Sequence, residues 1–511
     1  MAGVELTPDG LNPADVIAVA RHDEPVSLGD DARSAMDVSA AVVDALAASE
    51  EPAYGITTGF GSLAMVRIPA SGRRELQRAL VRSHAAGIGP AIEREVVRAM
   101  MLLRARTLAM GCSGARPELA EAIIALLNAG LTPVVPEHGS LGASGDLAPL
   151  AHCALALIGE GDVSLHDGAV VPAQQALGDA GLEPIELRAK EGLALINGTD
   201  GMLGMLVLAI EDLRRLLRVA DVAAAMSVEA LLGTDRAFAE DLVALRPQPG
   251  QAASAANLRA LLAGSEIVAS HREGDPRVQD AYSLRCAPQV IGAARDTLEH
   301  AVRVAGAELR SAIDNPMVLP DGRVESCGNF HGAPVGYACD FLAIAAADVG
   351  AIAERRTDRM LDASRSHGLP PFLAADAGID SGLMIGHYSQ AAIVAEGRRL
   401  AVPASVDSLP TSAMQEDHVS MGWGAARKLR LALAGLARVL SVELVCAGRG
   451  LDLRTPLRPG PGTAAALACL RGVVGGPGPD RFLAPDLAAA EALVWSPELL
   501  DAVAAAVGEL A

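Results

Sequence analysis

The 511-residue sequence predicts a mainly α protein: a loop-rich N-terminal domain at residues 1–200, a long central helical bundle at 201–450, and a C-terminal helical extension at 451–511. Three observations carry that prediction. Long stretches consist of good helix formers with apolar residues three and four apart. Alternating strand patterns are scarce, and the helical runs stop at Gly, Pro or Asn-Pro. In the N-terminal part, helical stretches at 73–86 and 93–110 alternate with Gly/Pro-rich segments at 54–64 and 131–149. Helix formers then fill 202–233 almost without a break, and further runs cover 290–313, 335–356, 389–400 and 415–448. Within 335–356 the apolar residues 335, 338, 341, 345, 349 and 352 line one face. Helices this long and Ala-rich have much apolar surface to cover, which predicts packing across subunits.

Composition excludes several function classes. Length alone suggests about three and a half domain-equivalents. With 51% hydrophobic and 20% charged residues, the chain can bury a large core, which argues against disorder. Its net charge of −20 is the wrong sign for clamping phosphate backbones or anionic membranes, so neither nucleic acid nor membrane is an expected partner. Aromatics at 2% leave little surface for stacking single-stranded bases. Mean hydropathy is +0.30, yet the longest uncharged runs, such as 122–136, are broken by Asn, Gly and Pro, so no membrane span is expected. The opening MAGVELTPDG carries acids where a secretory leader is basic, predicting a cytoplasmic protein. Seven scattered cysteines with no C-x-x-C pair predict reduced thiols. The eleven histidines contain no H-E-x-x-H, and no metal site is expected.

Chemistry concentrates in Gly/Asn-marked segments, which hold Tyr54 and Tyr282, two of only four tyrosines. The stretch Gly59-Phe60-Gly61-x-x-Ala64 fits a dinucleotide fingerprint loosely, but no Val/Ile-rich strand precedes it and Pro69 follows closely, so no nucleotide is expected. A lid or active-site loop presenting Tyr54 fits better. In GSLGASGDLAPL, residues 139–150, the G-x-S-x-G elbow of hydrolases is absent. Ala143-Ser144-Gly145 permits another reaction. The Gly145 amide nitrogen can bend onto the Ala143 carbonyl, and cyclisation followed by dehydration of Ser144 yields an electron-poor methylidene ring. Gly supplies the dihedral freedom and Ala the least crowding. On these residues alone, a plain turn remains the competing reading.

GSLGASGDLAPLAH resembles the signature of the aromatic amino acid ammonia-lyases, whose prosthetic group 4-methylidene-imidazol-5-one (MIO) forms from such a triplet. YGITTGFG, LVRSHAAGIG, EGLALINGT, VQDAYSLRC, GNFHG and PASVDSLPTSAMQEDHVSMG stand in the family's order over nearly the whole chain. Within the family the chain looks most like the members acting on histidine. The resemblance therefore implies loss of ammonia from L-histidine to give trans-urocanate in an N-terminal MIO-bearing domain. It also implies a homotetramer with shared active sites. No pyridoxal phosphate is needed, and neither Lys190 nor Lys428, the only lysines, has a Schiff-base context.

Roles follow by resemblance. Tyr54 matches the base for the β-proton, a phenol that needs a lowered pKa to act near neutrality. Tyr282 matches a second active-site phenol and Gln279 a polar partner. Arg285 matches the carboxylate anchor, three residues from Tyr282 and on the same face if helical. Asn197 matches a hydrogen-bonding residue near the prosthetic group and substrate, Asp146 an aid to ring formation, and Phe330 a ring beside the electrophile. His84 and Glu416 bear on substrate choice, because both can serve an imidazole and neither suits a phenyl ring. Asp200, Met414, His387 and Tyr388 depart from common versions of the family's motifs, and Met384 stands at a hydrophobic pocket position. The alternatives are a tyrosine or phenylalanine ammonia-lyase or an aminomutase of the same family. A catalytically silent scaffold is a further reading, against which the intact triplet, phenols and arginine speak.

Overall fold

Asn12 opens the first helix, Pro13–His22, by accepting the Asp15 N–H while the Asp15 side chain accepts from the Asn12 N–H. Proline at the first helical turn likewise starts Pro117–Asn128 and Pro461–Val473. Such signals recur along the chain in the computed structural model, which describes residues 3–511. Helix accounts for 59% of residues and strand for 6%, the mainly α class that the sequence predicts. Among the described residues the strands are two to four residues long and form small sheets of two or three strands.

The chain divides into two units, each assembled from three separate stretches. The first comprises residues up to Leu208, Ala301–Asp340 and Pro403–Arg427. Its helix Arg94–Ala109 is buried on all sides and packs against Pro13–His22 and Pro117–Asn128. Arg98 inside it donates to the Val19 and Leu127 carbonyls at 3.0 Å each, so a buried guanidinium joins three helices. The second unit comprises Ala209–His300, Phe341–Val402 and residues from Lys428 onward. There Pro461–Val473 packs on Glu498–Val507 and Pro249–Leu262. The fully buried Arg356 pairs with Glu443, which also accepts the Ser227 hydroxyl at 2.7 Å.

Most predicted helices form near their expected places: Arg73–His84, Arg94–Ala109, Asp200–Ala230, Ala333–Leu361 and Met384–Leu400. Two differ at an end. The run expected over 290–313 is the helix Ala287–Glu308, and Arg106 takes the Glu308 and Ser311 carbonyls where the helix stops. The run expected from 415 begins only at Gly422, as Gly422–Asp452. Thr411 and Glu416 instead exchange backbone hydrogen bonds at 3.0 and 3.3 Å, closing a loop in which Ser412, Ala413 and Met414 take positive φ.

The expectation of no membrane-length segment also needs correction. Glu191–Ala230, Ala333–Leu361 and Gly422–Asp452 are long and apolar enough to cross a membrane by length and composition. Counting uncharged runs misses them because a helix can carry one or two charges and keep a high mean hydropathy. The apolar window of Glu191–Ala230 is entirely buried inside the protein, so there it serves as core.

Candidate active site

A cavity of about 490 Å³ opens in the first unit. Tyr54, His84, Ser144, Asn197 and Glu416 all line it, drawn from five separate segments of the chain. The loop carrying Tyr54 folds back on itself: the Gly59 N–H donates to the Val66 carbonyl and the Ile68 N–H to the Thr57 carbonyl, both at 2.9 Å. The Gly61 N–H donates to the Tyr54 phenol oxygen at 3.0 Å, and the Phe60 ring stands edge-on to Tyr54 at 6.3 Å. Burial raises the Tyr54 pKa and the Glu416 carboxylate adds to the rise, while the Gly61 N–H opposes it. In this chain alone the phenol thus shifts opposite to what a base near neutrality requires.

His84 ends the helix Arg73–His84. Its Nδ1 lies 2.9 Å from the Leu80 carbonyl, which can only accept. Nδ1 therefore carries the proton, and Nε2 of the neutral ring is an acceptor. Burial lowers the His84 pKa and favours that neutral form. Glu416 is held on its loop by the Thr411 hydroxyl, which donates to Oε2 at 2.9 Å. Two acceptors, an imidazole nitrogen and a carboxylate, thus belong to one cavity.

Asn197 follows the short helix Glu191–Ile196. Its Nδ2 donates to the Asn315 carbonyl at 2.8 Å, whereas its buried Oδ1 has no hydrogen-bond partner among the described residues. Beneath it, fully buried Lys190 and Asp314 pair at 2.7 Å, and Asp314 Oδ1 accepts the Asn315 N–H at 2.7 Å. That pair fixes the carbonyl that orients Asn197. Asp200, where the sequence departs from the common motif, is equally buried and pairs with Arg104 at 3.3 Å.

The triplet is bent tightly. Ala143 and Gly145 form a bridge with one another, as do Gly142 and Gly145. Gly142 and Gly145 take φ of +66° and +75°, a region L-residues avoid. A Cβ on Gly145 would lie 2.1 Å from the Gly198 carbonyl oxygen, and one on Gly142 equally close to Ser420 Oγ. Asp146 begins the next turn. Its N–H donates to the Gly198 carbonyl at 2.7 Å, and its carboxyl accepts the Ser140 hydroxyl and the Met202 N–H, each at 2.9 Å. Burial pushes its pKa up to about 7 against those hydrogen bonds. A bend carried by Gly142 and Gly145, a serine lining the cavity and the unpartnered Asn197 oxygen fit a ring formed from residues 143–145.

The remaining expected residues lie elsewhere. Phe330 belongs to the first unit but does not line the cavity. Gln279, Tyr282 and Arg285 lie in the second unit and do not line it either. Tyr282 and Arg285 do share a face of the one-turn helix Tyr282–Arg285: the guanidinium carbon sits 4.7 Å from the ring centroid, and Tyr282 is 71% exposed. Sequence reasoning did not single out Ser140, Gly198, Ser420 or the Lys190–Asp314 pair. Serines two residues before glycine, as in Ser140-x-Gly142 and Ser420-x-Gly422, are a local turn signal that could have marked two of them.

The family profile described as "Aromatic amino acid lyase" matches residues 11–472. The chain is 61% identical over 503 residues to the histidine ammonia-lyase of Streptomyces avermitilis, covering 98% of each chain. Among solved structures, it is similar to the tyrosine aminomutase from Streptomyces globisporus, with a TM-score of 0.93 at 37% identity covering 100% of each chain. It is similar also to the histidine ammonia-lyase from Trypanosoma cruzi, with a TM-score of 0.90 at 38% identity over 99% of this chain and 95% of that one.

Proposed function

This chain belongs to the aromatic amino acid lyase family, and we propose that it removes ammonia from L-histidine, giving trans-urocanate, at the cavity that joins Tyr54, His84, Ser144, Asn197 and Glu416. The observation that carries this reading is the pair of acceptors, His84 Nε2 and the Glu416 carboxylate, in one cavity with the triplet serine. A phenyl or phenol side chain offers them at most one donor, and burying acceptors without donors is costly. An imidazolium offers two N–H groups.

Residues 143–145 would become MIO, which supplies an electron-poor alkene that makes ammonia a better leaving group. Asn197 Oδ1 is the polar contact beside it. Tyr54, as the phenolate, takes the β-proton at its oxygen, and the Gly61 N–H that donates to that oxygen favours the charged form before the transfer. Burial raises the pKa of this phenol, and the Glu416 charge adds to the rise. A substrate imidazolium paired with Glu416 offsets that charge, so binding removes the Glu416 part of the rise and increases the phenolate fraction. Arg285 grips the substrate carboxylate, with Tyr282 and Gln279 beside it, contributed by further copies in a cytoplasmic homotetramer. Phe330 flanks the electrophile. The exposure of Tyr282, and of Ile385 and Tyr388 three apart on Met384–Leu400, supports burial against other copies.

A panel of amino acids followed by product absorbance tests the reading. Histidine should be turned over and tyrosine and phenylalanine left largely untouched, and Glu416→Gln should raise KM for histidine. Fast turnover of tyrosine with none of histidine would instead favour the tyrosine lyase or aminomutase alternative.

A further inference from the structure

The loop from Ser140 to Asp146 is tied from both sides by two serine hydroxyls that do not line the cavity. Ser140 Oγ spans the mouth of the loop. It accepts the Gly142 N–H at 3.1 Å and donates to Asp146 Oδ1 at 2.9 Å, with the Gly145 carbonyl at 3.4 Å as its other acceptor. Ser420 Oγ grips the loop from 278 residues away: it accepts the Gly422 N–H at 3.1 Å and donates to the Gly142 carbonyl at 3.3 Å. Beside it, the Met421 N–H donates to the Leu141 carbonyl at 2.9 Å. On the far side, the Gly198 carbonyl receives the Asp146 N–H at 2.7 Å.

We propose that Ser140 and Ser420 are positioning residues for formation of the prosthetic group, holding the open loop bent so that the Gly145 nitrogen meets the Ala143 carbonyl carbon. This rests on the family reading above. In the condensation, a bond forms between Gly145 N and Ala143 C. The Ala143 oxygen leaves as water with the amide hydrogens of Gly145 and Ser144, leaving a C=N bond to Ser144 N. The Ser144 hydroxyl then departs with the Ser144 Cα hydrogen as a second water, creating the methylidene. No oxidant or outside reagent enters. An amide nitrogen is a weak nucleophile, so the close approach has to be paid before the bond forms. The two hydroxyls restrict the chain on either side of the reacting triplet while leaving Ser144 itself at the cavity wall.

The test uses cell-free synthesis of the full chain, with intact mass followed in time for the loss of two waters. Ser140→Ala and Ser420→Ala should each lose water about tenfold more slowly than the wild type, the scale expected for the loss of one net hydrogen bond. Ser140→Thr, which keeps a hydroxyl, should recover most of the rate. Both alanine variants should melt close to Ser144→Ala, a full chain that cannot lose the second water or form the methylidene. Water loss within about twofold of wild type in both alanine variants would overturn the proposal. So would a slow variant that melts far below Ser144→Ala, since the defect would then be one of folding. A wild-type chain that never sheds water would overturn the family chemistry instead.

Discussion

Replacing Asp146 with asparagine should flatten part of the pH dependence of stability. The Asp146 carboxyl is fully buried, and burial, with the nearby Asp200 charge adding to it, moves its pKa from 3.8 to about 7 even though Ser140, Met202 and Gly201 donate to it. The folded protein therefore binds this proton more tightly than the unfolded chain does. Its contribution is fully present below pH 3.8, drains away as pH rises toward about 7, and is gone above that. At 1.36 kcal/mol per unit, the window from pH 5 to 8 is worth on the order of 3 kcal/mol. Asparagine cannot ionise and keeps an acceptor for the Met202 N–H. Asp221, Glu229 and Glu308, whose pKa values burial also raises, titrate in both proteins and cancel in the difference. Urea unfolding at pH 5 and pH 8, at one protein concentration, should show the wild type losing about 3 kcal/mol more than Asp146→Asn across that interval. Parallel losses within about 0.5 kcal/mol would refute the assignment of a buried, proton-holding Asp146.

Two more outcomes follow from the site. Tyr54→Phe removes the oxygen proposed to take the β-proton and one hydrogen bond from Gly61, so kcat should fall by roughly 10²- to 10⁴-fold with thermal stability near wild type; steady-state rates and a melting curve check both halves. Lys190→Met strands the Asp314 carboxylate, which is 0% exposed, and should cost about 3–5 kcal/mol in urea unfolding; a loss under about 1 kcal/mol would show that Asp314 finds another partner.

Most helices were legible because apolar spacing and Gly/Pro stops are local signals, and Arg73–His84 and Asp200–Ala230 form close to where those signals put them. The start of the last long helix run was not legible. Residues 415–421 have helical composition, but the paired backbone bonds of Thr411 and Glu416 and the Ser420–Gly422 turn hold them as a loop. Local propensity lost to these turns together with the bonds from Ser420 and Met421 to Gly142 and Leu141, made across the fold, and Glu416 lines the cavity in the resulting loop.

The order of residues along the chain already contains the Ala143-Ser144-Gly145 triplet, the glycines that let it bend, and the motifs naming Tyr54, His84, Asn197 and Glu416, since covalent neighbours and backbone dihedrals are local properties. Which of those side chains share a wall is a matter of folding: five distant segments close one cavity, while Gln279, Tyr282 and Arg285 belong to the other unit. The Ser420 hydrogen bond to Gly142 and the Lys190–Asp314 pair beneath Asn197 likewise exist only once the chain has condensed. Hydrogen bonds and ion pairs act over a few ångströms of space, and sequence separation carries no information about that distance.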